Sequence, residues 1–142
     1  MRDDHPTDWL VILVEGDASP SVMSSIRSAA QELAGQRPWV VGPPSIVDEP
    51  GAEGRHLTGL ALSLHTAFPP WGDELDREVD RAYLEESQSL LRETCRISAE
   101  HETNFIVEFA GEMIGLIEAG RMDDGVAVGL IGEWERTLNG RG

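Results

Sequence analysis

A chain of 142 residues, 40% of them apolar, holds enough material for one packed domain and too much hydrophobic content for a disordered acidic tail. Its single cysteine excludes an intramolecular disulfide and points to a reducing cytoplasm, and no apolar run approaches the roughly 18 residues of a membrane span. Twenty-six acids against eleven bases leave a net charge of −15, which disfavours nucleic acid or an anionic membrane as partner and favours a cationic protein. The plainer reading of the same excess is solubility alone. All the bases are arginine; with abundant Ala and Gly, this points to a GC-rich bacterial coding bias. The opening M-R-D-D-H-P-T-D is acidic, unlike a signal peptide, so the expectation is a soluble cytoplasmic protein.

The first element is the apolar run Trp9 to Val14, bounded by Asp8 and Glu15. Its length and β-branched content predict a strand buried on both faces. Gly16-Asp17 turns the chain, Ser19 caps a helix with Pro20 at its first position, and Val22, Ile26, Ala29, Ala30 and Leu33 form its buried stripe as far as Gly35. Pro38 to Val41 reads as the second strand. Pro43-Pro44 interrupts it, so any continuation through Ser45-Ile46-Val47 lies at an edge or past a bulge. Asp48 to Arg55 reads as a polar Gly/Pro loop. From His56 to His65, Leu60, Leu62 and Leu64 alternate with small residues, a strand with one packed face.

Phe68-Pro69-Pro70-Trp71-Gly72 makes a stiff aromatic loop, and the longest helix follows from Asp73 to about Ser98. Leu75, Val79, Ala82, Tyr83, Leu90 and Ile97 share one stripe of it, and Leu84, Leu91 and Cys95 make a narrower one opposite. Two stripes mean contact on both sides, or a partner over one of them.

Residues 104–138 are the densest apolar stretch. Phe105, Val107 and Phe109 alternate into a hairpin that turns at Ala110-Gly111, placing them across from Leu116, Ile114 and Glu112. A continuous helix is the competing reading, but it puts Gly111 and Gly115 mid-helix at roughly 1 kcal/mol each. Asp123 or Asp124 then caps a last helix carrying Ala127, Leu130, Ile131, Trp134 and Leu138, which Asn139-Gly140 stops. Trp9, Trp39 and Trp134 all sit in core patterns. The order β-α-β-β-α-β-β-α predicts one α+β domain over residues 1–142, a two-layer sandwich with helices on one face of a mostly antiparallel sheet. Its first six elements follow the ferredoxin-like split β-α-β order.

No catalytic set emerges. His56, His65, Cys95 and His101 follow no metal-ligand spacing, and Cys95 sits on an apolar helix stripe as a small hydrophobe. Gly16-Asp17-Ala18-Ser19 precedes a helix, but its flanking acids repel a phosphate. The expectation is a protein without cofactor or metal that is not an enzyme. What remains is surface: Trp71 as an aromatic anchor, or else folded back beside Phe68, with Asp48, Glu49, Glu53, Glu74, Glu78 and Glu85 as acids lacking obvious partners.

The C-terminal block, Gly111-Glu112-x-Ile114-Gly115-x-Ile117-Glu118-x-Gly120 followed by Gly129-Leu130-Ile131-x-Glu133-Trp134, resembles those of actinobacterial immunity proteins that neutralise polymorphic toxins. Size, acidity and a plain α+β fold fit the same family over the rest of the chain. The resemblance implies a stoichiometric inhibitor of a basic effector, a nuclease or deaminase, whose cationic groove is blocked by carboxylates. That family is heterogeneous in fold, so no functional residue carries over from it. A small enzyme or ligand-binding protein with a pocket between sheet and helices, and a homodimeric scaffold with a self-complementary second helix stripe, are the alternatives.

Overall fold

The computed structural model describes residues 7–36, 38–39, 42–51, 54, 56–65 and 77–140. Among them are β1 (Thr7–Val14), α1 (Pro20–Gln36), β2 (Ser45–Pro50), β3 (His56–His65), α2 (Arg77–His101), β4 (Phe105–Phe109), β5 (Glu112–Glu118) and β6 (Arg121–Met122). A last helical segment over 124–140, which we label α3, completes the fold. The six strands form one antiparallel sheet in the order β2-β3-β1-β4-β5-β6. β1 and β2 therefore run parallel with β3 between them, which is the split β-α-β arrangement, and β5 and β6 extend it on the β4 side.

Local chemistry accounts for each start and stop. The Ser19 hydroxyl accepts from the Val22 amide at 3.2 Å, capping α1 one residue before Pro20. The predicted stripe of Val22, Ile26, Ala29, Ala30 and Leu33 is buried as a set. At the other end of α1, the Trp39 indole N–H donates to the Leu33 carbonyl at 2.9 Å and satisfies one of the acceptors a helix end leaves over. Trp39 thus caps α1, and Pro38 and Trp39 take no part in the sheet, while Val40 and Val41 of the expected second strand lie outside the described residues. The observed β2 begins at Ser45, at the sheet edge, and takes in Asp48, Glu49 and Pro50, which the sequence reads as loop. An edge position tolerates the missing amide of Pro50.

The hairpin at Ala110-Gly111 is present. Both residues have positive φ, +55° and +83°, the requirement of a two-residue turn that matches strand twist, and the Ala110 amide donates to the Trp9 carbonyl at 3.1 Å. Its register differs from the expected one. A bulge between Val107 and Glu108 shifts the partners, so Phe105 faces Ile117 and Val107 faces Gly115. Gly115 and Ile117 are buried in consequence, while Ile114 and Leu116 are half-exposed. A second Ala-Gly turn, Ala119-Gly120 with φ of +53° and +79°, adds the two-residue β6.

α3 starts at Asp123, whose carboxylate accepts from the Val126 amide at 3.2 Å while its own amide donates to Leu116 O at 3.0 Å. The helix is pinned against β5. A side chain at Gly115 would run into the Asp123 carboxylate and the Val126 methyl, so glycine permits the approach. α3 is α-helical over Asp124–Val126, π-helical over Ala127–Gly132 and α-helical again over Glu133–Gly140. The wide middle turn brings Val126 and Ile131, five residues apart, into the same core.

α1, α2 and α3 all pack on one face of the sheet. Leu10, Ile12, Val14, Leu60, Leu62, Phe105, Val107 and Ile117 meet them in a single hydrophobic cluster. Among the described residues of the two α2 stripes, Tyr83, Leu84, Leu90, Leu91 and Ile97 are buried, with α1 and α3 as neighbours, and Ala82 and Cys95 are half-buried; Leu75 lies outside the described residues. The second stripe is accordingly unavailable as a self-complementary dimer surface.

The other face of the sheet has a different character. Trp9, Val11 and Leu13 alternate with the buried residues of β1 and point away from the helices. None of the three belongs to the core cluster or its periphery, and Trp9 is 47% exposed. The expectation that β1 is buried on both faces is therefore wrong for the described residues. A continuous apolar run suits a strand covered on both sides, but every neighbour here is antiparallel and the helices lie on one side. Trp9 is not core either, whereas Trp39 and Trp134 do pack against it.

Candidate partner-binding surface

The acidic residues singled out from sequence do not converge. Asp48 and Glu49 are neighbours on β2 and so point to opposite faces of the sheet. Asp48 lies on the helix side and is not free of partners: its Oδ2 accepts from Arg27 Nη2 of α1 at 3.5 Å, and its Oδ1 pairs with His56 Nε2 of β3. All three side chains are exposed, so the cluster contributes little to stability, but Asp48 is not an unsatisfied acid waiting for a ligand. Glu49 lies on the open side and is exposed.

Glu78 and Glu85 are exposed, seven residues apart on nearly the same face of α2, and neither is free. β2 packs against β3 and α1, whereas α2 packs against α1, β5, β6 and α3, so these acids stand on separate parts of the surface. Glu53, Trp71 and Glu74 lie outside the described residues, as does the loop that holds Trp71.

The exposed stripe of α2 is of mixed sign. Arg81, Arg92 and Arg96 are interleaved with its acids. Arg96 donates to Glu93 at 2.8 Å and to Glu100 at 2.9 Å, and these carboxylates, Glu93 foremost, push its guanidinium further above its ordinary value. The C-terminal half of this helix thus neutralises its own charge, and it offers a cationic partner no unbroken acidic strip.

On the open face, Glu49 on β2, Glu108 on β4 and Glu118 on β5 stand among apolar side chains, opposed by Arg121 on β6. Among the described residues, no ion pair engages Glu49, Glu108 or Glu118. This grouping escapes a sequence reading, because Glu108 and Glu118 are far in sequence from Glu49 and only the β2-β3-β1-β4-β5 order places all three on one sheet. The alternation Glu108, Ile106 against Phe105, Val107 is the signal that would have assigned Glu108 to the face opposite the core.

No family model, curated protein or solved structure matches this chain. The chemistry of the surface therefore stands on its own residues. Among the described residues no group of three or more His, Cys, Asp and Glu side chains is placed to hold a metal ion. Cys95 is half-buried, and burial pushes its thiol up, away from the thiolate a nucleophile needs. His101 is tied to α1 by a 2.8 Å hydrogen bond between its Nε2 and the Ser25 hydroxyl, which gives it a structural role joining the two helices. No helix among the described residues is long and apolar enough to cross a membrane.

Proposed function

We propose that this chain is a small acidic inhibitor that binds a basic protein effector stoichiometrically and blocks its cationic groove, in the manner of an immunity protein against a nuclease or deaminase toxin. The observation that carries this reading is the net charge of −15, with Glu49, Glu108 and Glu118 outside any ion pair among the described residues. A cleft shaped to hold phosphates is lined by Lys and Arg, and carboxylates held on a rigid sheet present the same sign of charge to it. Long-range attraction speeds encounter, and desolvated contacts then set the lifetime of the complex.

The test is association of the purified chain with the purified product of the adjacent gene, followed at several salt concentrations. Steered association slows steeply as the screening length falls from about 10 Å at 0.1 M to about 3 Å at 1 M. A one-to-one complex that abolishes the partner's activity and forms more slowly in salt supports the proposal. A complex whose on-rate ignores salt removes the electrostatic mechanism, and turnover of a small metabolite by the chain alone would replace the inhibitor reading with an enzyme.

A further inference from the structure

The face of the sheet turned away from the helices is apolar over most of its width. Trp9, Val11 and Leu13 of β1 are flanked by Ala61 of β3 and Ile106 of β4, and Met113 of β5 is 61% exposed. None of these six belongs to the cluster beneath the helices; Trp9 and Met113 are exposed, Val11, Leu13 and Ile106 are half-buried and Ala61 is buried. Six strands about 4.8 Å apart span roughly 24 Å, and five residues of strand run about 17 Å, so this face covers on the order of 400 Å². That is the area of the whole face, charged and small residues included, and its exposed apolar part centres on Trp9 and Met113. The whole face is about half of what a standard interface buries on each partner, so an occupant must cover its charged positions as well.

Those positions decide what the occupant is. Glu49 stands on the edge strand β2, Glu118 on β5 near the opposite edge and Glu108 between them, and Arg121 is a cation on the same face among the described residues. A second copy of this chain would bring −15 against −15 and set Glu49, Glu108 and Glu118 against a face whose described residues offer them Arg121 as counter-charge. A basic partner meets the same groups favourably. We infer that this face, centred on Trp9, is the docking surface for a basic protein whose own apolar patch is bordered by Lys or Arg side chains. The inference rests on the inhibitor reading above and adds the surface that carries it: the open sheet face, not the mixed-charge stripe of α2.

Trp9 is the anchor. It is large, half-exposed and held by its strand, paired with Ser63 of β3 and accepting from the Ala110 amide of the hairpin turn, which is the profile of an interface hot spot. Glu49, Glu108 and Glu118 govern the approach and Trp9 governs the residence time.

The experiment measures binding kinetics of the full chain, Trp9→Ala, Met113→Glu and the α2 double variant Glu78→Arg/Glu85→Arg to the immobilised product of the adjacent gene. Sedimentation of each free chain and circular dichroism accompany the kinetics. The expected result is a monomeric, folded chain in every case, with Trp9→Ala and Met113→Glu each weakening binding about 30-fold or more through faster dissociation. The α2 variant should lose less than about 5-fold, and through association alone. Met113→Glu changes an exposed position, so it keeps the test open if Trp9→Ala folds poorly. Wild-type binding that both face variants leave intact overturns the inference while the inhibitor reading stands. No wild-type binding at all removes both. A dimeric wild type that Met113→Glu turns into monomer gives the face to a second copy and overturns the basic-partner assignment.

Discussion

Phe105 and Ile106 are adjacent on β4, yet they belong to two different surfaces of one sheet. Phe105 is 1% exposed and packs with Leu10, Val107 and Ile117 beneath the helices; Ile106 stands outside that cluster on the face without helices. The same alternation separates Leu10 from Trp9 on β1 and Asp48 from Glu49 on β2. Among the described residues the six-stranded sheet has three helices to bury one side, and the composition of the other side is not that of a solvent face. It keeps Trp, Val, Leu, Ile and Met where water would favour polar residues. The lesson is that, among the described residues, one face carries the packed core and the other keeps apolar side chains outside it.

The largest effect that sharpens this division is on the covered face. Phe105→Ala should cost about 3–5 kcal/mol of unfolding free energy, because it removes a fully buried aromatic and leaves a cavity, whereas Ile106→Ala next to it should cost about 1 kcal/mol. Urea denaturation of the two variants side by side reads the difference, and equal losses would erase the distinction between the faces.

A smaller loss tests how α3 is held on the covered side. Gly115→Ala puts a methyl group into the Asp123 carboxylate and the Val126 side chain, so we expect a cost of about 1–3 kcal/mol from overpacking. A neutral or stabilising result in thermal unfolding would show that α3 can retreat from β5 freely. The cap itself is worth less. Asp123→Ala forfeits the 3.2 Å bond to the Val126 amide and should cost about 1 kcal/mol, with amide exchange accelerated in α3 and unchanged in α1.

How much of this was legible in the sequence follows from the range of the interactions involved. α1 could be read completely, because a Ser cap, a Pro at the first position and a stripe of five apolar residues are local signals that agree with one another. The hairpin at Ala110-Gly111 was legible for the same reason, although its register was not, since a bulge leaves no mark in the pattern of apolar residues. The second strand is misplaced at Pro38 and Trp39 because Pro38 to Val41 has strand composition, and only the indole bond to Leu33 shows what Trp39 does. The π turn of α3 was hidden in a spacing that an ordinary helix nearly satisfies. The candidate surface was the least legible part. Excess acid is visible in composition, but sequence does not say that Asp48 turns toward Arg27 while Glu49 turns to the open face, or that the acids of α2 are shared with arginines.

The smallest stability effects come from that pair on β2. Asp48→Asn should change unfolding free energy by no more than about 0.5 kcal/mol, since exposed ion pairs contribute little, and Glu49→Gln should change it as little. They should differ in partner association instead: Glu49→Gln removes a charge from the open face and slows encounter, while Asp48→Asn leaves an already compensated site almost unchanged. Stopped-flow mixing at low salt separates the two, and identical on-rates would mean that the sheet face plays no part in steering.

The division of the sheet into a folding face and a binding face is tested most directly by Leu10 and Trp9, one residue apart on β1. Leu10→Ala and Trp9→Ala should be compared by chemical denaturation of the isolated chain. We predict a loss of about 2–5 kcal/mol for Leu10→Ala and less than about 1 kcal/mol for Trp9→Ala, although Trp9 is the larger side chain. A Trp9→Ala loss as large as that of Leu10→Ala would mean that the open face belongs to the core of the monomer, and would contradict its assignment to a partner.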